Sequence, residues 1–173
     1  MSVLSITPEM EKNEVFELVE KYLTESGFLP STIDKDRPWG GFFVLEEGCI
    51  RKFKDDFFPS VHLSEEQFNQ KLSPKFLLVS PGARLSWQYH FRRSELWTLI
   101  AGTGSISRSM TDEEQVPMEL EIGKVVYLEK GERHRLIGED TWGIVAEIWV
   151  HADAEHPSDE SDIVRLQDDY SRK

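Results

Sequence analysis

From Lys75 to Val150 the chain is a run of short segments, several with alternating apolar and polar residues, each closed by turn formers. KFLLVS, RLSWQYH, ELWTLIA, GSISRS, VPMELEI, VVYL, RLI and WGIVAEIWV follow one another. Between them stand Pro81-Gly82, Phe91 to Ser94, Thr111-Asp112-Glu113, Gly123, Lys130-Gly131 and Gly138-Glu139-Asp140. Short strands at near-regular spacing, with hardly any helix between, predict an antiparallel sandwich or barrel. A jelly roll of that kind encloses a pocket between its sheets.

The stretch Pro81 to Gly104, PGARLSWQYHFRRSELWTLIAGTG, carries the chemistry. In a strand from Arg84 to His90, residues two apart share a face, so Gln88 and His90 project together, away from Trp87 and Tyr89. If the next strand pairs with it as a hairpin, Glu95 returns to the face of His90. An amide oxygen, an imidazole nitrogen and a carboxylate then converge as ligands for a divalent metal. Gly123 to His134, GKVVYLEKGERH, offers a fourth ligand, because His134 follows the Lys130-Gly131 turn at the start of a strand. Each residue alone is ordinary in a β protein. All four together point to a metal site, with Gln88 the neutral member that could instead hold substrate or water.

These two stretches resemble the paired half-motifs of the cupin family. The first is met by Gly82, Gln88, His90, Glu95 and Gly102; the second by Gly123, Gly131 and His134, with Glu129 where the family prefers proline. The resemblance implies an all-β, cupin-type jelly-roll barrel.

At 173 residues, 39% of them hydrophobic and five of them tryptophan, the chain suits one folded domain with a real core. Its net charge of −12, from 32 acidic and 20 basic residues, argues against nucleic acid and anionic membranes as partners. A local arginine cluster can still hold an anionic small ligand. Cys49 is the single cysteine, which excludes an internal disulfide and suits a reducing, cytoplasmic setting. No basic start precedes a long apolar run, so no signal peptide is expected. No stretch approaches the eighteen or so apolar residues of a membrane span.

Ahead of the strands, Thr7-Pro8-Glu9 reads as a helix start. Val15, Phe16, Val19, Tyr22 and Leu23 form one apolar stripe, and Gly27 with Pro30 ends it. This helix is expected to pack on the outside of the barrel or against a second subunit. Residues 31–36 are polar and read as a linker, which divides the chain into a helical extension, 1–36, and a barrel with its tail, 37–173. Residues 54–74 read as irregular apart from a short helix capped at Ser64-Glu65-Glu66-Gln67, which is either a lid over the barrel mouth or a surface excursion. Residues 151–162 are acidic and read as a solvated loop.

A narrower resemblance runs through residues 37 to 173. Arg37 to Gly40, Leu45 to Gly48, Ala83 to Ser86, Gln88, His90, Arg93, Glu95, Trp97, Gly102-Thr103, Gly131 to Leu136, Asp162 to Arg165, Asp168 to Tyr170 and Arg172 carry it. They are similar to the C-terminal isomerase domain of type II mannose-6-phosphate isomerases, including those fused to a guanylyltransferase. Departures are Phe91 and Arg92 where that family continues a run of histidines, Leu96 where it has histidine, and Trp149 where it has glutamine.

What the resemblance implies is a metal-dependent aldose–ketose isomerase acting on a phosphorylated sugar such as mannose 6-phosphate or fructose 6-phosphate. Gln88, His90, Glu95 and His134 would hold zinc, manganese, cobalt, nickel or iron. Arg84, evenly spaced from Gln88, is the matching arginine for catalysis or phosphate binding, unless it forms a surface ion pair. Arg165 is a second phosphate candidate, Glu147 a candidate acid–base, and a homodimer through strand edges the expected assembly. Two other classes remain open: a non-catalytic metal- or sugar-binding cupin, and a metal-dependent cupin dioxygenase.

Overall fold

The computed structural model describes residues 4–172. Nine strands form one antiparallel system: β1 (Pro30–Arg37), β2 (Gly40–Leu45), β3 (Lys75–Val79), β4 (Trp87–Tyr89), β5 (Arg93–Ser109), β6 (Met118–Glu119), β7 (Val125–Leu128), β8 (Arg133–His151) and β9 (Val164–Gln167). The order β1-β2-β3-β8-β4-β9 is continued by β5, which pairs with β8, β7 and β6. The architecture is the expected jelly-roll-like β fold with an added N-terminal helix.

Two of the strands are longer than their sequence segments. ELWTLIA and GSISRS are one strand, β5, and RLI and WGIVAEIWV are one strand, β8. They pair along their whole length, from Arg93 opposite His151 to Ser109 opposite Arg133. The ladder breaks register between Leu99 and Ala101 and again between Gly102 and Gly104, opposite Gly138 and Gly143. Those glycines let the ribbon fold double. Gly102 has φ +74°, and a Cβ there would lie 1.8 Å from the Trp142 carbonyl oxygen.

Strand period then sorts the core into two layers. Phe76 and Leu78 of β3, with Ile144, Ala146 and Ile148 of β8, face outward into a layer covered by helices. Leu77, Val79 and Val145 face inward with Trp39, Trp97, Leu99 and Leu136. Burial on both faces explains why KFLLV reads as a continuous run and not as an alternation.

Helix α1 (Lys12–Glu25) supplies the outer cover, burying Val15, Phe16, Val19 and Leu23 completely. The Phe16 ring stacks on Phe43 with centroids 5.4 Å apart. The helix begins at Lys12, four residues later than a Thr7 cap with Pro8 as first helical residue predicts. Thr7 and Met10 close a turn instead, and the Glu14 carboxylate reaches back to the Glu11 amide. The position of the apolar stripe, not the proline, sets the start.

Two other stretches differ from the sequence expectation. Residues 31–36 are strand β1 and not a linker; they pair with β2, and their polarity is that of an exposed edge strand. Within 54–74, α2 (Ile50–Phe57) and α3 (Glu65–Phe68) are helical. Ile50, Phe53 and Phe57 of α2 recur on one buried face and join the outer core, while the short helix α3 buries none of its residues completely. The Ser64 cap is present. Among the described residues no helix is long and apolar enough to cross a membrane.

Candidate metal centre

His90, Glu95 and His134 meet at the inner face of the barrel, each offering a ligand atom within 4.8 Å of the others. The bend in the β5–β8 ribbon makes this possible. His134 is the ladder partner of Arg108, thirteen residues along β5 from Glu95. In a straight strand that separation is roughly 40 Å. Folded double, the ribbon brings His134 Nε2 to 2.9 Å from Glu95 Oε1. His90 Nε2 lies 3.4 Å from the same oxygen. The predicted β4–β5 hairpin does not form: β4 pairs with β8 and β9. His90 and Glu95 converge across the barrel interior.

Backbone contacts aim both imidazoles. His90 Nδ1 lies 2.7 Å from the Asp162 carbonyl oxygen, and His134 Nδ1 lies 3.0 Å from that of Glu132. With Nδ1–H donated there, each ring turns a bare Nε2 inward. Glu95 Oε1 and His134 Nε2 are then buried acceptors, close but aligned with no hydrogen bond. Two facing lone pairs at that range require a cation or a proton between them. The two-nitrogen, one-carboxylate set suits a first-row divalent metal. Burial raises the Glu95 carboxyl, yet His90, Arg93 and His134 outweigh it and hold the pKa well below the ordinary value. Burial lowers His134, and Glu95 more than restores it. Burial dominates for His90, whose pKa falls.

A cavity of about 660 Å³ opens beside the cluster, lined by His90 and Glu95. Gln88 lines it, opposite His134 in the β4–β8 register, and its amide oxygen accepts from the Ser86 hydroxyl at 3.3 Å. Glu147 lines it too, because period 2 along β8 sets it inward between Val145 and Trp149. The Trp97 indole donates to one Glu147 oxygen at 2.8 Å and the Trp149 indole to the other at 3.2 Å. Burial, then the charge of Glu95, pushes the Glu147 carboxyl up to about 7.

Arg165 lines the cavity from β9, the register partner of Gln88. Arg84 does not. It is bridged to Ile137 and its guanidinium grips Asp169 at 2.7 and 2.9 Å, outside the cavity lining. The even spacing fails because β4 begins only at Trp87, with a register shift between Trp87 and Gln88. The surface ion pair is the reading the geometry supports.

Two contributors lay outside the predicted set. Arg93 is buried, contacts Glu95 at 3.3 Å and His90 at 3.4 Å, and stacks 3.9 Å over the Trp149 ring. Its signal was its place two residues before Glu95, on the same strand face. Asp162 sits in the acidic stretch read as solvated, yet its carboxylate accepts from the Phe91 and Arg92 amides and the Ser158 hydroxyl while its carbonyl holds His90. No periodicity marks a loop residue of that kind.

The family model described as mannose-6-phosphate isomerase C-terminal matches residues 51–168. This chain belongs to that family. The xanthan biosynthesis protein XanB of Xanthomonas campestris pv. campestris is 28% identical over 136 residues, 79% of this chain and 23% of XanB. A mannose-1-phosphate guanylyltransferase of Salmonella montevideo is 32% identical over 105 residues, 61% of this chain and 21% of that protein. The chain therefore spans under a quarter of the length of these curated relatives. Among solved structures, the capsular polysaccharide assembling protein CapF of Staphylococcus aureus shares the fold, with a TM-score of 0.54 and 15% identity over 90% of this chain and 37% of CapF.

Against the mannose-6-phosphate isomerase C-terminal pattern, the departures fall unevenly. Phe91 is exposed, Arg92 bonds the Pro157 carbonyl, and Leu96 packs into the outer core. Trp149 alone reaches a cavity carboxylate, that of Glu147.

Proposed function

We propose that this chain is a divalent-metal-dependent aldose–ketose isomerase acting on a phosphorylated sugar of the mannose 6-phosphate/fructose 6-phosphate kind. The observation that carries the reading is Glu147, a carboxyl with a pKa near 7, on the wall of the cavity that His90 and Glu95 of the metal cluster also line. Aldose–ketose exchange moves one proton between neighbouring carbons, and a base poised near neutrality is suited to that task. His90, Glu95 and His134 would hold the metal, with Gln88 beside them. A bound divalent cation supplies positive charge for the enediolate oxygens. Glu147 takes the proton from one carbon and returns it to the next, its two oxygens oriented by the Trp97 and Trp149 indoles. Arg165 faces the phosphate. Arg84, outside the lining, has no part in this scheme.

The test is to incubate metal-loaded protein with fructose 6-phosphate in deuterated water. Mannose 6-phosphate carrying deuterium at C2 is the expected product. His134→Ala is expected to drop bound metal from one ion per chain to near none and to cut turnover by more than about a hundredfold. Saturable sugar binding with neither product nor exchange overturns the isomerase in favour of a binding module. Oxygen consumption by a metal-loaded sample overturns it in favour of a dioxygenase, for which two histidines and one carboxylate are also a suitable ligand set.

A further inference from the structure

Lys75 is a charged residue at an inward position of the barrel. It opens β3, shares a face with Leu77 and Val79, and is buried in the cavity lining. Its neighbour across the β3–β8 ladder is Glu147. We propose that Lys75 and Glu147 form an acid–base pair that opens and closes the pyranose ring of a sugar phosphate such as mannose 6-phosphate, an anomerase activity of this cavity. The proposal rests on the isomerase reading for the choice of sugar, but the pair itself rests on its geometry.

A hexose phosphate stands in water chiefly as a ring, and its C1 carbonyl exists only once that ring opens. Opening needs a base for the anomeric hydroxyl and an acid for the ring oxygen. Both oxygens are bonded to C1, so acid and base must stand side by side on one wall. Ladder neighbours on one sheet face meet this condition, with Cβ atoms about 4.5–5.5 Å apart. Trp149 ties the two together: its indole donates to Glu147 at 3.2 Å, and the Lys75 ammonium lies 4.2 Å from its ring centroid. Lys75 and Arg93 both act on the Glu147 charge. Arginine keeps its proton in proteins, whereas lysine can transfer one.

The chain also fixes where Lys75 stands. Its backbone pairs on both sides, with Val44 of β2 and Glu147 of β8. Two residues before it, Ser73 is buried at φ +47°, a left-handed conformation uncommon outside glycine. The Glu47 carboxylate accepts from the Leu72 and Ser73 amides there. Strain of that kind persists where the surroundings over-determine it, and it gathers at functional sites. The ion-pair partner of the ammonium is Glu160 at 3.0 Å, an exposed side chain that a sugar oxygen displaces at small cost. In the opening step the C1–O5 bond breaks and its electron pair goes to O5, which takes a proton from the Lys75 ammonium. The anomeric hydroxyl gives its proton to the Glu147 carboxylate, and the C1 carbonyl forms. The proton on Glu147 then passes to the Lys75 amine, which restores both groups before the carbon-bound proton is moved.

The experiment follows exchange between the α and β anomers of mannose 6-phosphate by magnetisation-transfer NMR, with the full, metal-loaded chain present. The native chain is expected to speed exchange well above the protein-free rate. Lys75→Met and Lys75→Arg are each expected to lose more than about a hundredfold of that acceleration, since arginine restores the charge and not the proton transfer. Glu147→Gln is expected to lose it as well, and metal content is expected to stay level in all three. Arg84→Gln, which alters the exterior pair with Asp169, is expected to stay within about twofold of the native rate. Should Lys75→Met fail to fold, Lys75→Arg keeps a cation for Glu160 and decides the matter. Exchange no faster than in protein-free buffer, or full acceleration in Lys75→Arg, overturns the proposal. Lysine-dependent exchange without deuterium at C2 counts against the isomerase alone, and deuterium at C2 with lysine-independent exchange counts against the pair alone.

Discussion

Glu147 is the side chain whose surroundings say most about its use. A carboxyl with two indole donors and a pKa near 7 is neither a surface acid nor an ion-pair anchor. Its raised value has a consequence for the metal-free protein. A carboxyl raised in the folded state adds stability that is full below the ordinary pKa of 4.5 and is lost as pH climbs through about 7. Glu147→Gln removes that dependence. Urea unfolding of the two metal-free proteins should therefore diverge between these pH values, the native chain losing on the order of 3 kcal/mol relative to the variant. A constant difference across that range contradicts a buried, titrating Glu147. In the loaded enzyme, the same variant is expected to lose more than about a hundredfold in turnover while keeping its affinity for fructose 6-phosphate.

At the scale of elements, the site depends on a loop that contributes no ligand. Asp162 ties residues 158–162 to the turn after β4, through the Phe91 and Arg92 amides, and its own carbonyl aims His90. Asp162→Ala leaves two partly buried amides short of an acceptor. We expect a loss of about 1–3 kcal/mol in unfolding free energy and a ten- to hundredfold weaker metal affinity, measured by denaturation and by competition with a chelator. A variant with native metal affinity would mean that the loop packs against the site without orienting it. The β1–β2 connection shows a related dependence. Gly40, the last residue of Arg-Pro-Trp-Gly, has φ +145°, and a Cβ would sit 1.9 Å from the Leu78 carbonyl oxygen. The motif glycine is thus a close-approach residue between β2 and β3, and not itself part of the site.

For the whole molecule, the barrel and its helices share a core. The outer face of β3 and of the second limb of β8, from Trp142 to Val150, is apolar and is covered by α1 and α2. Phe16 is fully buried there against Phe43 and Trp142. Phe16→Ala is expected to cost about 3–5 kcal/mol in a single cooperative unfolding transition, followed by both circular dichroism and tryptophan fluorescence. A separate early transition for the helix would show that α1 is an appendage. The cavity, by contrast, collects guanidiniums, carboxylates and indoles on the inner face of the same strands. One strand period serves both purposes: outward residues join the domain together, and inward residues make its chemistry.

The strand-rich class, the pairing of Gln88 with His90 on one face, and the candidacy of Glu95 and His134 were legible in residue order, because period and turn chemistry are local properties. So was the capped helix at Ser64. Three things were decided only in three dimensions. Bending of the β5–β8 ribbon at its glycines brought His134 to Glu95, since ladder partners thirteen residues away meet only if the sheet folds on itself. The irregular chain between Arg84 and Trp87 turned Arg84 outward to Asp169, because even spacing predicts a shared face only in an unbroken strand. Asp162 acquired its place through contacts across the barrel, where position depends on packing and leaves no repeat in the sequence.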